Sequence, residues 1–147
     1  FILAESSDPP AYKRLLECLV AFNQSWARQA PVLILTVAQT RFTHNGQVNP
    51  HAWHDVGLAT QNLMIQATAL GLHVHAMAGF DAEKARREFR IPPDYEPVAA
   101  LALGYLGDPG TLPDDLRQRE MAPRQRKPLA DLAFAGRFGH PAAVVSR

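Results

Sequence analysis

The sequence predicts an α+β layered domain, and three features carry that reading. Two runs of branched apolar residues, "PVLILTVAQT" and "PVAALALGYL", have strand length. Around them, apolar residues recur at the three- and four-residue spacing of a helix face. Helices and strands in alternation pack as layers about one core, with strand order left open by the pattern. The 147 residues suffice for one sizeable core, and no repeat or second domain is visible, so a single domain over residues 1–147 is expected.

The elements follow in order. "FILAE" reads as a short strand, and a start at Phe1 inside an apolar strand implies a domain whose earlier part lies upstream. In "SSDPP", Ser7 or Asp8 can cap a helix and Pro9 can occupy its first turn. Tyr12, Leu15, Leu16, Leu19, Val20, Asn23 and Trp26 then mark one amphipathic helix, which must stop before Pro31. "PVLILTVAQT" is a buried strand, and "RFTHNGQVN" a polar loop with an Asn45-Gly46 turn. Asn49 and Pro50 open the next helix, "HAWHDVGLATQNLMIQATALG", in which Asp55 is the one carboxylate or Lys/Arg. A helix apolar on nearly every face is expected to be central and covered by several neighbours, and Gly71 can end it. "LHVHAM" is a strand, and Asp81 can cap the charged helix "AEKARREFR", which Pro92 ends. "PVAALALGYL" is the third strong strand. From Gly107 the chain is rich in Pro, Asp and Arg and reads as an extended arm, with one helical turn in "KPLADLAFAG".

Composition excludes several classes. Hydrophobic residues make up 47% and charged residues 20%, which is globular rather than disordered. A net charge of +1 marks neither a nucleic-acid nor a membrane-surface binder. No apolar run is long enough to cross a bilayer. The single cysteine, Cys18, permits no intrachain disulfide and fits a reducing cytoplasm. Asn23-Gln24-Ser25 spells a glycosylation sequon, which without a secretory signal is read as chance.

P-loop, GxGxxG and GxSxG signatures are absent. His51 and His54 share a helix turn, and His73 and His75 share a strand face, so a transition-metal module is one alternative. No HExxH occurs, and hydrogen-bonded or solvated histidines are the simpler reading. In "APRQRKPL", Arg124 and Arg126 point the same way if the segment is extended, with Lys127 beside them. Two guanidinium forks on one side suit a phosphate.

"APVLILTV", "HDVGLATQNLMIQATALGL", "MAGFD", "IPPDYEPVAALALGYLGD" and "RQRKPL" occur in the order and spacing of the FMN-dependent nitroreductase family. The sequence resembles that family from about Phe1 to Leu129. Its most specific elements are DxGxxxQN at Asp55 to Asn62, the GFD and the RKP. The resemblance implies a three-layer α/β/α domain with a central helix and an extended C-terminal arm that wraps the partner of a homodimer. It implies FMN at the dimer interface and NAD(P)H as hydride donor, with nitroaromatics, quinones or similar acceptors. The backbone of Met77, Ala78 and Gly79 matches the turn that lies against the flavin ring. There, N–H donors stabilise the charge of reduction, and Gly79 allows close approach. Arg124 and Arg126 match the residues that bind the FMN phosphate. No side chain is assigned as catalytic. The family's opening Arg-Ser-x-Arg-like helix and its Asn-x-Gln-Pro-Trp-like segment have no counterpart here, and Ala78 stands where some members carry an acidic residue. A flavin-binding or flavin-degrading protein of the same fold is the alternative within the family.

Overall fold

Four strands form one antiparallel sheet: β1 (Ile2–Glu5), β2 (Val32–Gln39), β3 (His73–Met77) and β4 (Tyr95–Gly104), in the order β1-β2-β4-β3. The computed structural model describes residues 1–145 and divides into two compact units, Phe1–Leu106 and the residues from Gly107 onward. Helices α1 (Pro9–Cys18), α2 (Ala21–Ala27), α3 (Ala52–Ala69) and α4 (Ala82–Glu88) complete the first unit.

The strand alternation sets the layers. Leu33 pairs with Ala102 and Leu35 with Ala100, and these four face Tyr12, Leu15 and Cys18 of α1 and Ala85 of α4. The residues between them, Ile34 and Leu101, point to the opposite face. Ala38 on that opposite face packs with Ala52 and Val56 of α3. The unit is therefore three-layered, with α1, α2 and α4 on one side of the sheet and α3 on the other.

Pro97 interrupts the β2–β4 ladder because it has no N–H to donate. The register shifts between Thr36 and Val37, and the buried Thr36 hydroxyl fills in: Ala99 N–H donates to it at 3.0 Å, and it donates to the Ala99 carbonyl at 3.1 Å. A second buried hydroxyl ties α1 to the end of α2. The Tyr12 phenol lies 2.6 Å from the Ala30 carbonyl oxygen and 3.0 Å from that of Ala27, and burial pushes its pKa up.

The helix expected from Tyr12 to Trp26 is in fact two. Leu19 and Val20 are extended, with ψ of 152° at both, and Val20 N–H donates to the Gly79 carbonyl of a distant turn rather than within a helix. The polar loop after β2 is a small hairpin, bridged between Arg41 and Val48 and pinned by the Arg41–Asp94 ion pair at 3.3 Å.

Helix α3 also differs from expectation. Only Ala52, Val56 and Ala67 are buried, while Trp53, Leu58, Ile65 and Leu70 are 52%, 54%, 58% and 63% exposed. One layer of sheet covers one face, so the all-round apolar composition is not matched by cover within this chain. Its end is a Schellman motif: Leu72 N–H donates to the Ala67 carbonyl and Gly71 N–H to that of Thr68, with Gly71 at φ 74°.

In the second unit, residues 122–128 carry no helix or strand, and a single 3₁₀ turn spans Leu129–Asp131. Helix α5 (Asp114–Met121) was not expected. Two aspartates in its first turn and an Arg117–Asp114 ion pair at 2.6 Å support it, in a segment whose charge hides any apolar period. Among the described residues, no helix is long and apolar enough to cross a membrane.

Candidate functional site

Strand β3 ends at the buried Met77, and the next three residues form a turn before α4. Asp81 caps α4 as its sequence position implied, its Oδ1 accepting from Lys84 N–H at 2.8 Å. Lys84 Nζ in turn donates to the Glu17 carbonyl at 2.8 Å.

The turn is clamped into the gap between α1 and α2. The Gly79 carbonyl accepts from Val20 N–H at 3.1 Å and from the Asn23 side-chain amide at 2.9 Å. Leu19 and Phe80 form an antiparallel bridge, and Asp81 N–H donates to the Cys18 carbonyl at 2.8 Å. These bonds satisfy groups that the α1–α2 break would otherwise orphan. Burial raises the Cys18 thiol pKa, as expected of a packing residue rather than a nucleophile.

Gly79 therefore has a reason within its own chain. A Cβ there would lie 2.7 Å from Asn23 Nδ2 and 3.0 Å from Val20 Cγ2. Within the chain it is Asn23 of α2 and Val20 at its cap that approach closely. The opposite side of the turn is open. Ala78 is exposed, and among the described residues the Ala78 and Gly79 N–H groups donate no hydrogen bond, while the Ala78 carbonyl accepts from Phe80 N–H at 3.0 Å. Two adjacent backbone donors are thus without a partner among the described residues, on a segment held from behind.

Arg124 and Arg126 lie in the second unit and are exposed. Arg126 Nη1 donates to the Gln125 carbonyl at 2.8 Å. The histidines are scattered: the His75 ring meets Trp26 edge-on, with centroids 4.7 Å apart, and His54 neighbours Asp55 at 3.5 Å. Among the described residues, no three His, Cys, Asp or Glu side chains gather as metal ligands, so the metal-module alternative has no assembled site. Asn23 was missed as a site residue. In the sequence it showed only a helix-face position and a chance sequon, and neither points to a partner at residue 79.

Comparison with known proteins places this geometry in context. Residues 3–105 match the model of the nitroreductase family. An uncharacterized 15.4 kDa protein in the ask 5′ region of Mycolicibacterium smegmatis is 37% identical over 123 residues, covering 84% of this chain and 82% of that protein. A putative NADH dehydrogenase/NAD(P)H nitroreductase of Ralstonia nicotianae is 31% identical, covering 71% of this chain and 62% of the relative. The crystal structure of an oxidoreductase containing FMN superposes with a TM-score of 0.87 at 35% identity, covering 95% of this chain and 71% of that one.

The clamp makes a coupled prediction. Asn23→Ala is expected to cost about 0.5–1.5 kcal/mol through the lost hydrogen bond. Gly79→Ala is also expected to destabilise, because its Cβ meets the Asn23 amide. The double variant should lose less than the sum, by an interaction of roughly 0.5–3 kcal/mol in urea unfolding. Strictly additive losses would show that the two residues do not meet.

Proposed function

The chain belongs to the nitroreductase family, and on that premise we propose that it is an FMN-dependent oxidoreductase, taking a hydride from NAD(P)H and reducing a nitroaromatic, quinone or similar acceptor. The observation that carries this reading is the pair of N–H donors at Ala78 and Gly79, unpartnered among the described residues, on a turn clamped from behind. Bound FMN supplies hydride acceptance, and its reduction places negative charge on the ring. Fixed backbone donors stabilise such charge without reorganising, so Met77, Ala78 and Gly79 are assigned to the ring edge. Arg124 and Arg126 are assigned to the phosphate, where guanidinium forks pair with its oxygens. The side chain of Ala78 is small and exposed, which leaves room for an acceptor beside the turn. No side chain is required as acid or base, and none is assigned.

A homodimer is part of the proposal. Trp53, Leu58 and Ile65 on α3 and Leu70 at its C-cap are large apolar residues left exposed, and a second copy would cover them. A reducing cytoplasmic location fits the buried, unpaired Cys18.

Two experiments test these assignments. Arg126→Ala is expected to weaken FMN binding about tenfold to a hundredfold, since charge-assisted bonds are worth roughly 1.5–3 kcal/mol. Riboflavin, which lacks the phosphate, should bind almost unchanged in the same fluorescence titration. Equal losses for both ligands would mean that the arginine acts on folding. For assembly, sedimentation equilibrium at low micromolar concentration should report a dimer. Ile65→Glu, at an exposed position of α3, should shift it to folded monomer. A folded wild-type monomer would defeat the assignment of α3 as the interface.

A further inference from the structure

Helix α4 ends in the same Schellman motif as α3, but with an arginine in the glycine position. Ile91 N–H donates to the Arg86 carbonyl at 3.0 Å and Arg90 N–H to that of Arg87 at 3.3 Å. Arg90 sits at φ 51°, and it is the one non-glycine residue with positive φ among those described. Where α3 uses Gly71, this end pays a left-handed backbone to place a long cationic side chain. Such an outlier asks what the side chain does there.

Arg90 is not alone. It lines a surface recess of about 650 Å³ together with Arg14, Arg87, Glu88 and Phe89. Arg14 comes from α1, and its guanidinium lies over the Phe89 ring, 5.7 Å from the centroid. None of the three arginines forms an ion pair among the described residues. The adjacent Arg86 is the contrast: it pairs with Glu96 at 2.6 Å and donates to the Tyr95 and Pro92 carbonyls. Cations at a helix C-terminus ordinarily complement its dipole, and Arg86 and Arg87 already do so. That role explains neither the strained backbone of Arg90 nor an arginine contributed by a different helix.

We propose that Arg14, Arg87 and Arg90 form a binding site for a small molecule carrying a diphosphate or triphosphate group. Each guanidinium presents a planar fork of donors, and forks brought by α1 and by the end of α4 to one recess suit a ligand with more than one phosphate. Glu88 leaves a net charge of two positive on the lining, which favours a polyanion and opposes a weakly charged one. Its arginines lie on α1 and at the end of α4, and none of them is among the residues assigned to the flavin.

Inorganic pyrophosphate is the probe, titrated calorimetrically into the native protein and its variants. Wild type should bind it saturably and more tightly than orthophosphate. Arg90→Gly should raise the ligand-free Tm by roughly 2–4 °C by relieving the left-handed arginine, yet weaken pyrophosphate about tenfold or more. Arg14→Gln and Arg87→Gln should weaken it similarly, and Glu88→Gln should tighten it. No saturable binding at millimolar pyrophosphate would overturn the proposal. So would an Arg90→Gly protein that gains stability and keeps its full affinity.

Discussion

The Gly79 carbonyl holds the first unit together at its most consequential point. It receives Val20 N–H and the Asn23 amide at once, and through them it fixes where α1 ends and α2 begins. The same clamp sets the exit of β3 and the entry of α4, because Phe80 bridges Leu19 and Asp81 reaches the Cys18 carbonyl. With the Gly79 carbonyl engaged by α2, the N–H groups of Ala78 and Gly79 are left without a partner among the described residues. A packing constraint and a candidate binding surface are thus two sides of one peptide turn. Rigidity on one side is what a preorganised donor pair on the other requires.

Helix α3 shows the complementary situation, an element under-constrained by its own chain. Its buried residues are small, Ala52, Val56 and Ala67, and its large ones, Trp53, Leu58, Ile65 and Leu70, face outward. Small residues toward the sheet allow close approach, while Leu58 and Ile65, on the far side of the helix from them, offer surface for association. That division fits a helix lying between two cores. The family to which the chain belongs is consistent with the three-layer arrangement, and the similar oxidoreductase containing FMN shares it at a TM-score of 0.87.

What was legible in the sequence is what local chemistry decides. Asp81 as a cap, Gly71 as a helix end and the branched strands β2 and β4 all follow from residues within one turn or one strand. The division between α1 and α2 was not legible, because the apolar period runs through Leu19 and Val20 without a break. The bond that interrupts it, from Val20 N–H to the Gly79 carbonyl, comes from a turn distant in the sequence. The register shift had a visible cause in Pro97, but its remedy, the Thr36 hydroxyl, depends on strand pairing that the pattern leaves open. Helix α5 stayed hidden because Leu116 and Met121 are the only large apolar residues in it. At the candidate site, the sequence marked the turn at Met77 to Gly79, but it gave no sign that Asn23 would be the neighbour within the chain that excludes a Cβ at Gly79.

The central claim is that the Ala78 and Gly79 amides are donors to a bound flavin. Amide hydrogen exchange resolved to single residues, with and without saturating FMN, tests it most directly. The account predicts that exchange at Ala78 and Gly79 slows markedly on adding FMN, while the exposed Asn45-Gly46 turn of the hairpin exchanges as before. Unchanged exchange at both amides in protein that has demonstrably bound FMN would contradict it.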